Sequence, residues 1–223
     1  MGFSRGLLVQ SFQHGHGYEY MLHALSRAPD RLRGVAIPAP DITDAELEIP
    51  HKAGVVGIRF APRSAPKIDA GMLARVHEFG WQLHVLVHGA AEIEAWRDQI
   101  LAAPGHFVIE HTGYPPVEKG LDSPEYRFVL ECLDTGRGWV KLSPRFSAQP
   151  AGFTDTVPIV RALIAHAPNR ILWGSDWPHQ SHPEPKPADA DLVDLMLDWA
   201  PDEKNRNRIF VDNPAELFGF PKA

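Results

Sequence analysis

The residue of this chain best placed to do chemistry is Asp176, which follows directly on the apolar run Ile171–Ser175. An apolar, β-favouring run that ends in a small residue, a carboxylate and a proline is typical of a buried parallel strand reaching the rim of an α/β barrel. A carboxylate there can act as a general base or as a metal ligand. The same pattern also fits an aspartate that only caps the next turn. The remaining strand ends favour the chemical interpretation.

Ionisable side chains also follow nearly all of the remaining candidate strands. Parallel strands present their carboxyl ends at one rim of the sheet. Such groups would shift each other's pKa values, as a catalytic site requires. An arginine at the end of a buried strand needs an anion, either a protein carboxylate or a substrate, so we predict an anionic small-molecule substrate. The candidate catalytic residues are Asp176 and His111, and the candidate substrate-binding residues are Arg59, Arg145, His14, His88 and His179.

Several of these polar residues also have structural interpretations. His84 lies in the middle of a candidate strand and is predicted to be a packed core histidine. The pair in His14–His16 has the spacing of two metal ligands, but histidines beside glycine are also ordinary loop sequence. Lys141 is predicted to pair with Glu110 or Asp176, because lysine is rarely buried alone. His88 and His111 fit a capping role as well as a functional one.

Composition places the chain among ordinary globular proteins and excludes some partners. It has 223 residues, 44% of them hydrophobic and 22% charged, with a formal net charge of −6. The acidic balance argues against nucleic acid, which requires a basic face. No apolar run is long enough for a membrane span, so no membrane partner is expected. The single Cys132 cannot form an internal disulfide, which predicts a reducing, cytoplasmic location.

Short apolar runs alternate with amphipathic helical patterns along the whole chain, as in a (β/α) barrel or an open doubly wound sheet. The absence of a Gly-x-Gly-x-x-Gly fingerprint and of a P-loop weakens the open nucleotide-binding sheet. We find no linker or composition break, so residues 1–223 are predicted to form one domain. The seven predicted strands are Gly6–Phe12, Gly34–Pro38, Val55–Phe60, Gln82–His88, Phe107–His111, Trp139–Ser143 and Arg170–Ser175.

Seven segments spread from end to end carry a family resemblance. They are Gly6–Gln10, Arg33–Ala36, Gly57–Phe60, Glu110–Gly113, Trp139–Ser143, Trp173–His179 and Val211–Ala215. Together they resemble the amidohydrolase superfamily in its amidohydrolase 2 branch, most of all the 2-pyrone-4,6-dicarboxylate lactonases and related lactone hydrolases. The resemblance implies a TIM-type (β/α)₈ barrel in which Asp176, after the last strand, activates water.

One departure from the family pattern concerns the first strand, which in the family carries a His-x-His pair. This chain begins where the second family strand is expected, and His14–His16 falls in the loop after it. We therefore expect a barrel that lacks its first βα unit. A late gene start, a fragment or natural truncation, and a seven-stranded or partner-completed barrel would each explain this. An open barrel would favour self-association through its exposed edges.

The resemblance implies hydrolysis of a lactone or a related carbonyl compound. Asp176 would take a proton from water, and His111 would polarise or orient the carbonyl or protonate the leaving oxygen. Arg59 and Arg145 would bind substrate carboxylates. No cofactor is required in this interpretation, because lactonases of this branch can work without a tightly bound metal. The alternatives are a zinc-dependent amidohydrolase, a decarboxylase, or an inactive truncated barrel that serves as a scaffold or subunit.

Overall fold

Seven parallel strands form the framework of the chain, in a computed structural model that describes residues 2–61, 69–149, 152–180, 182 and 184–220. Arg63, a second arginine after the third predicted strand, lies outside these ranges. Each strand hydrogen-bonds with its neighbours in sequence, in the order β1 to β7. The strands are β1 Gly6–Val9, β2 Leu32–Ala36, β3 Val55–Phe60, β4 Gln82–Val85, β5 Phe107–Ile109, β6 Gly138–Leu142 and β7 Ile171–Trp173.

A helix follows each of the seven strands, so the described chain is a curled half-barrel of repeated β–α units. Two short helices and a π-helical turn, Arg208–Asp212, complete the C-terminal region. The helices are α1 Glu19–Arg27, α2 Asp44–Ala53, α3 Ala70–Glu78, α4 Gly89–Leu101, α5 Pro124–Asp134, α6 Val157–His166, α7 Asp189–Trp199, α8 Glu203–Asn207 and α9 Asn213–Phe218. None of the described helices is long and apolar enough to cross a membrane.

The inner face of the sheet is layered. At the amino ends of the strands, Val108, Trp139 and Leu172 pack with Leu217 and Phe218 of α9, which closes this end of the half-barrel. Side chains alternate between the two faces of a strand, so the residues two positions further along also face inward. Two of these inward residues are charged, Glu110 on the turn after β5 and Lys141 on β6, and the third is Gly174 after β7, which has no side chain. The sheet thus seals its base with apolar groups and presents polar groups above it.

The two outer strands of the sheet have one strand neighbour each in the described part of the chain. β1 pairs with β2, β7 pairs with β6, and β1 and β7 do not pair with each other. The segment before β1 reaches across this opening, where the ring of Phe3 stacks on Trp173 at 5.2 Å and contacts Phe210 at 5.5 Å between centroids. The sheet therefore has an apolar gap on the side that would close a complete barrel.

All seven predicted strands are confirmed, but most end earlier than the sequence indicates. The strand predicted to reach His111 ends at Ile109, and the strand predicted to reach Ser175 ends at Trp173. In both places the chain turns through residues with positive φ, 50° at His111 and 63° at Asp176. Such backbone cannot continue a ladder, so the residues that carry the chemistry stand just beyond the strands.

Candidate active site

A cavity of about 620 Å³ opens at the carboxyl ends of the strands and continues into the gap between β1 and β7. Four of the seven sequence-predicted site residues line it: Asp176, His111, Arg59 and Arg145. The lining also includes Glu110, Lys141 and Ser143, which sequence analysis did not include among the site residues.

Asp176 stands at the centre of this group on the turn after β7. Its Oδ1 lies 3.7 Å from Nε2 of His111, and its Oδ2 lies 3.4 Å from Nε of Arg145. Oδ2 is buried and has no hydrogen-bond partner. Burial raises the pKa of this carboxyl group above its usual value, while the positive charges of Arg145 and Lys141 oppose the rise. The result is a carboxylate with one oxygen free to accept a proton or a hydrogen bond.

His111 faces Asp176 from the turn after β5, and its side chain is almost fully buried. Its Nδ1 is hydrogen-bonded with Oγ of Ser143 at 2.8 Å, which fixes the ring plane. Burial holds the pKa of His111 well below its usual range, and the neighbouring cations Lys141 and Arg145 act in the same direction, against the carboxylate of Glu110. The imidazole is therefore neutral at pH 7 and carries a single N–H.

A buried ion pair forms the floor below these two residues. Nζ of Lys141 lies 2.5 Å from one oxygen of Glu110, and Nδ1 of His84 lies 2.9 Å from the other. Burial pushes the pKa of Glu110 upward, but Lys141 and His84 outweigh it and hold that pKa well below its usual range. Gly174 makes room for the lysine, because a Cβ at this position would lie 3.2 Å from Lys141 Cδ. The predicted pairing of Lys141 and the predicted core position of His84 are confirmed.

Two arginines place positive charge over the cavity. Nη1 of Arg59 donates a hydrogen bond to the carbonyl of Gln10 at 2.9 Å, and its guanidinium lies 4.6 Å from the ring centre of Phe12. Its Nε is buried without a hydrogen-bond partner. The Arg145 guanidinium lies 5.7 Å from the ring centre of Tyr114. Guanidinium groups held in this way, with donor capacity left over, suit the binding of carboxylates.

The three other predicted binding residues do not line the cavity. His14 is exposed, with its ring 6.1 Å from that of Tyr20. The side-chain amide of Gln10 donates hydrogen bonds to the carbonyls of Gly15 and Gly17. These hydrogen bonds hold the loop beside His14 in place, which explains the position of His14 outside the cavity. His88 is half-buried, with its ring 4.1 Å from Tyr114. Their roles in substrate binding stay predictions.

His179, the last of the three, is buried on the turn after Asp176. Its Nε2 is hydrogen-bonded with Oδ1 of Asp189 at 3.1 Å. Asp176, His179 and His182 each offer one ligand atom, and these atoms lie within 4.8 Å of one another. This is the site at which the described residues could hold a metal ion. Sequence analysis missed His182, although the regular Asp-x-x-His-x-x-His spacing is a signal that could have found it.

A parallel half-barrel with a carboxylate, an imidazole and guanidinium groups at the carboxyl ends of its strands defines the class of TIM-type barrel enzymes. Within that class the chain belongs to the amidohydrolase family, whose model matches residues 2–220. The predicted family resemblance is thereby confirmed.

Three relatives show how far the similarity extends. The chain is 34% identical to the 4-sulfomuconolactone hydrolase of Hydrogenophaga intermedia, over 98% of this chain and 76% of the relative. It is 32% identical to the 2-pyrone-4,6-dicarboxylate hydrolase of Comamonas testosteroni, over 98% and 77%. A crystal structure of a probable 2-pyrone-4,6-dicarboxylic acid hydrolase from Acinetobacter baumannii, with citric acid bound, superposes with a TM-score of 0.84 at 27% identity. The superposition covers 98% of this chain and 84% of the chain from Acinetobacter baumannii.

Proposed function

We propose that the protein hydrolyses a lactone that carries a carboxylate or a similar anionic group, with Asp176 activating the water. The observation that carries the proposal is the Asp176 carboxylate, whose Oδ1 faces the neutral imidazole of His111 at 3.7 Å and whose buried Oδ2 lies 3.4 Å from Arg145 without a hydrogen-bond partner. The names of two relatives support the substrate class, because each describes hydrolysis of an anionic cyclic ester.

In the proposed reaction Asp176 takes one proton from a water molecule as the water oxygen attacks the lactone carbonyl carbon. A raised pKa makes the carboxylate a stronger base, which favours this transfer. The bond between the carbonyl carbon and the ring oxygen then breaks, and the ring oxygen leaves with a proton. The products are a carboxylic acid and a hydroxyl or enol group on one opened chain.

His111 is proposed to orient and polarise the carbonyl. We assign the hydroxyl of Ser143 as donor to Nδ1, which places the ring proton on Nε2, the atom that faces Asp176. An N–H at that position can donate to the carbonyl oxygen as negative charge develops there. The leaving oxygen takes the proton that Asp176 accepted from water, which returns the carboxylate, since a neutral imidazole that gave up its single N–H would be left as an imidazolate anion.

Substrate anions are proposed to bind to Arg59 and Arg145, with Lys141 adding positive charge at the floor of the cavity. A related crystal structure holds citric acid, itself a carboxylate-rich molecule, which supports an anionic substrate class. A charge-assisted contact of this kind contributes about 1.5–3 kcal/mol to binding.

Every step proposed above uses groups of the protein, so we propose that turnover requires no cofactor. Catalysis should accordingly persist at its full rate after exhaustive treatment with a chelator and removal of the chelator by gel filtration.

We also propose a cytoplasmic location for the protein, because its single thiol, Cys132, is buried and reduced.

The substitution Asp176→Asn tests the proposal. It should lower kcat for 2-pyrone-4,6-dicarboxylate or 4-sulfomuconolactone by about 10²-fold or more, because the amide cannot accept the proton. Asp134→Asn, at an exposed carboxylate paired with His166, is the matched control and should leave kcat unchanged. Circular dichroism and thermal unfolding would show that both variants fold. Equal kcat for wild type and Asp176→Asn would refute the role of Asp176, and no turnover of any anionic lactone would favour the scaffold alternative.

A further inference from the structure

We infer that Asp176, His179 and His182 form a binding site for a divalent transition-metal ion of the Zn²⁺ type. Their ligand atoms lie within 4.8 Å of one another, and Oδ2 of Asp176 is 3.8 Å from Nε2 of His182. Two atoms that each lie about 2.0–2.2 Å from one ion are at most about 4.4 Å apart, so the 3.8 Å pair can share an ion and any pair near 4.8 Å would have to close slightly on binding. The three residues recur at intervals of three in the sequence.

The polar atoms of this cluster lack the partners that buried polar atoms normally have. Asp176 Oδ2, His179 Nδ1 and His182 Nε2 are all buried, and none has a hydrogen-bond partner. Leaving one buried polar atom unsatisfied is costly, so three together at one point are unusual. A cation bound between them would satisfy all three at once.

The orientation of His179 is the second argument for a metal. Its Nε2 is hydrogen-bonded to the carboxylate of Asp189, the first residue of α7, at 3.1 Å. A proton on Nε2 leaves the lone pair on Nδ1, the unpartnered atom. Metal-binding histidines commonly donate their other ring N–H to a carboxylate in this way. Asp189 therefore serves as the residue that fixes the tautomer and direction of His179.

The donor set selects the kind of ion. Two imidazoles and one carboxylate suit Zn²⁺ and similar borderline ions, whereas Mg²⁺ and Ca²⁺ prefer oxygen ligands. Arg145 opposes binding, because its Nε lies 3.4 Å from the same carboxylate oxygen. We therefore expect the positive charge of Arg145 to weaken the site.

Cobalt(II) is the probe for the first test, because tetrahedral Co²⁺ absorbs visible light and competes with Zn²⁺ for the same ligands. The full chain should bind one Co²⁺ with a visible band that Zn²⁺ displaces. His182→Ala should abolish the band, and Asp189→Asn should weaken Co²⁺ binding by about 10- to 100-fold, the range found when such a carboxylate is lost. Arg145→Met should strengthen binding. His166→Ala, at an exposed histidine paired with Asp134, is the matched control and should change nothing.

Failure to bind Co²⁺ at stoichiometric amounts would overturn the inference. So would a band that survives His182→Ala, or one that His166→Ala reduces equally. The variants Asp189→Asn and Arg145→Met keep the test decisive if His182→Ala does not fold, since they are expected to move the affinity in opposite directions. Equal affinities in these two variants would also contradict the assignment.

A consequence for activity rests on the proposed function. A metal ion on Asp176 occupies the oxygen that would accept the proton from water, so Zn²⁺ should inhibit turnover. Inhibition should follow the same midpoint as Co²⁺ displacement in the spectroscopic titration. Metal binding that leaves turnover unchanged would contradict the proposed role of Asp176 and leave the metal site standing, so the two failures are distinguishable.

Discussion

Burial shifts the pKa values of the two residues at the centre of the site in opposite directions. It disfavours the charged form of each, so it raises the pKa of the Asp176 carboxyl group and lowers that of the His111 imidazole. A base that is stronger than an ordinary aspartate thus stands 3.7 Å from an imidazole that stays neutral. One physical cause gives the two residues different roles.

These shifts predict the acid limb of the pH–rate profile. Asp176 must be ionised to accept a proton, so kcat/KM should rise with pH through a pKa above the ordinary aspartate value of 3.8. The Arg145 charge lowers this pKa, so Arg145→Met should move the limb to higher pH. Rates measured from about pH 4 to pH 8 would show the limb, given the usual range of carboxyl pKa values. An unmoved limb in Arg145→Met would contradict the electrostatic assignment.

We expect Arg59 to bind the anionic group of the substrate. Arg59→Met should raise KM for an anionic lactone by about 10- to 100-fold, the loss expected for one charge-assisted contact, with a smaller effect on kcat. Steady-state kinetics on the acid and its neutral ester would separate charge recognition from general damage. Arg161→Met, at an exposed arginine that donates to the carbonyl of Asp198, provides the control. Equal KM values for acid and ester in the wild type would exclude this role.

Sequence analysis placed candidate residues at the cavity where a strand alone determines their position. Asp176 and His111 could be placed there because each follows an apolar run closely, and the pairing of Lys141 could be predicted because a buried ammonium needs a carboxylate. His14 could not be placed, because its direction depends on the hydrogen bonds that Gln10 makes to the following loop. The contact of His179 with Asp189 likewise depends on where α7 begins, which no local pattern specifies.

At the scale of elements, the strand and helix pattern was predictable because parallel strands covered on both faces are continuously apolar. Their carboxyl ends were not, since apolar character continues beyond the last ladder hydrogen bond. Ile109 is buried and ends β5, and within the same predicted run it is followed by His111, which is buried and has a positive φ. The apolar pattern of the sequence indicates which residues are buried but not their φ angles. It therefore overestimates the length of strands that end in functional turns.

The packing of α5 against β6 makes Gly138 a sensitive position. A Cβ there would lie 2.2 Å from the carbonyl oxygen of Cys132, so backbone must move to accept it. Gly138→Ala should lower the free energy of unfolding by about 1–3 kcal/mol, as overpacking does, and lower kcat through Lys141 on the same strand. Gly6→Ala is the control, because its nearest contact would be an ordinary 3.5 Å from Leu32. Urea unfolding of both variants would measure the difference.

At the scale of the molecule, the gap between β1 and β7 is the surface at which we expect the half-barrel to associate with other chains. Sheet edges that lack a strand neighbour, beside apolar side chains, are sites of association between chains. Phe3 and Val211 line this opening and are 40% and 43% exposed. The predicted seven-stranded fold is confirmed, and self-association through its open edge stays a prediction.

Light scattering coupled to size exclusion tests that prediction. The chain should show a mass that rises with protein concentration, and Val211→Lys should reduce the associated fraction because a charge at the gap opposes apolar contact. Leu197→Lys, at an exposed apolar residue of α7, is the matched control and should have no effect. A monomer at every concentration, or equal effects of the two lysines, would show that the gap is not the contact surface.

The left-handed turns around the cavity have a consequence for how this protein can be stabilised. His111, Thr112, Tyr114, Asp176 and His179 all have positive φ, which disfavours residues with a Cβ by roughly 1–2 kcal/mol each. Selection for heat resistance would therefore favour glycine or asparagine at these positions. At His111 and Asp176 the same replacements would remove the groups proposed to do the chemistry. Thermostable variants that keep their activity should arise elsewhere, in the helices and the apolar base.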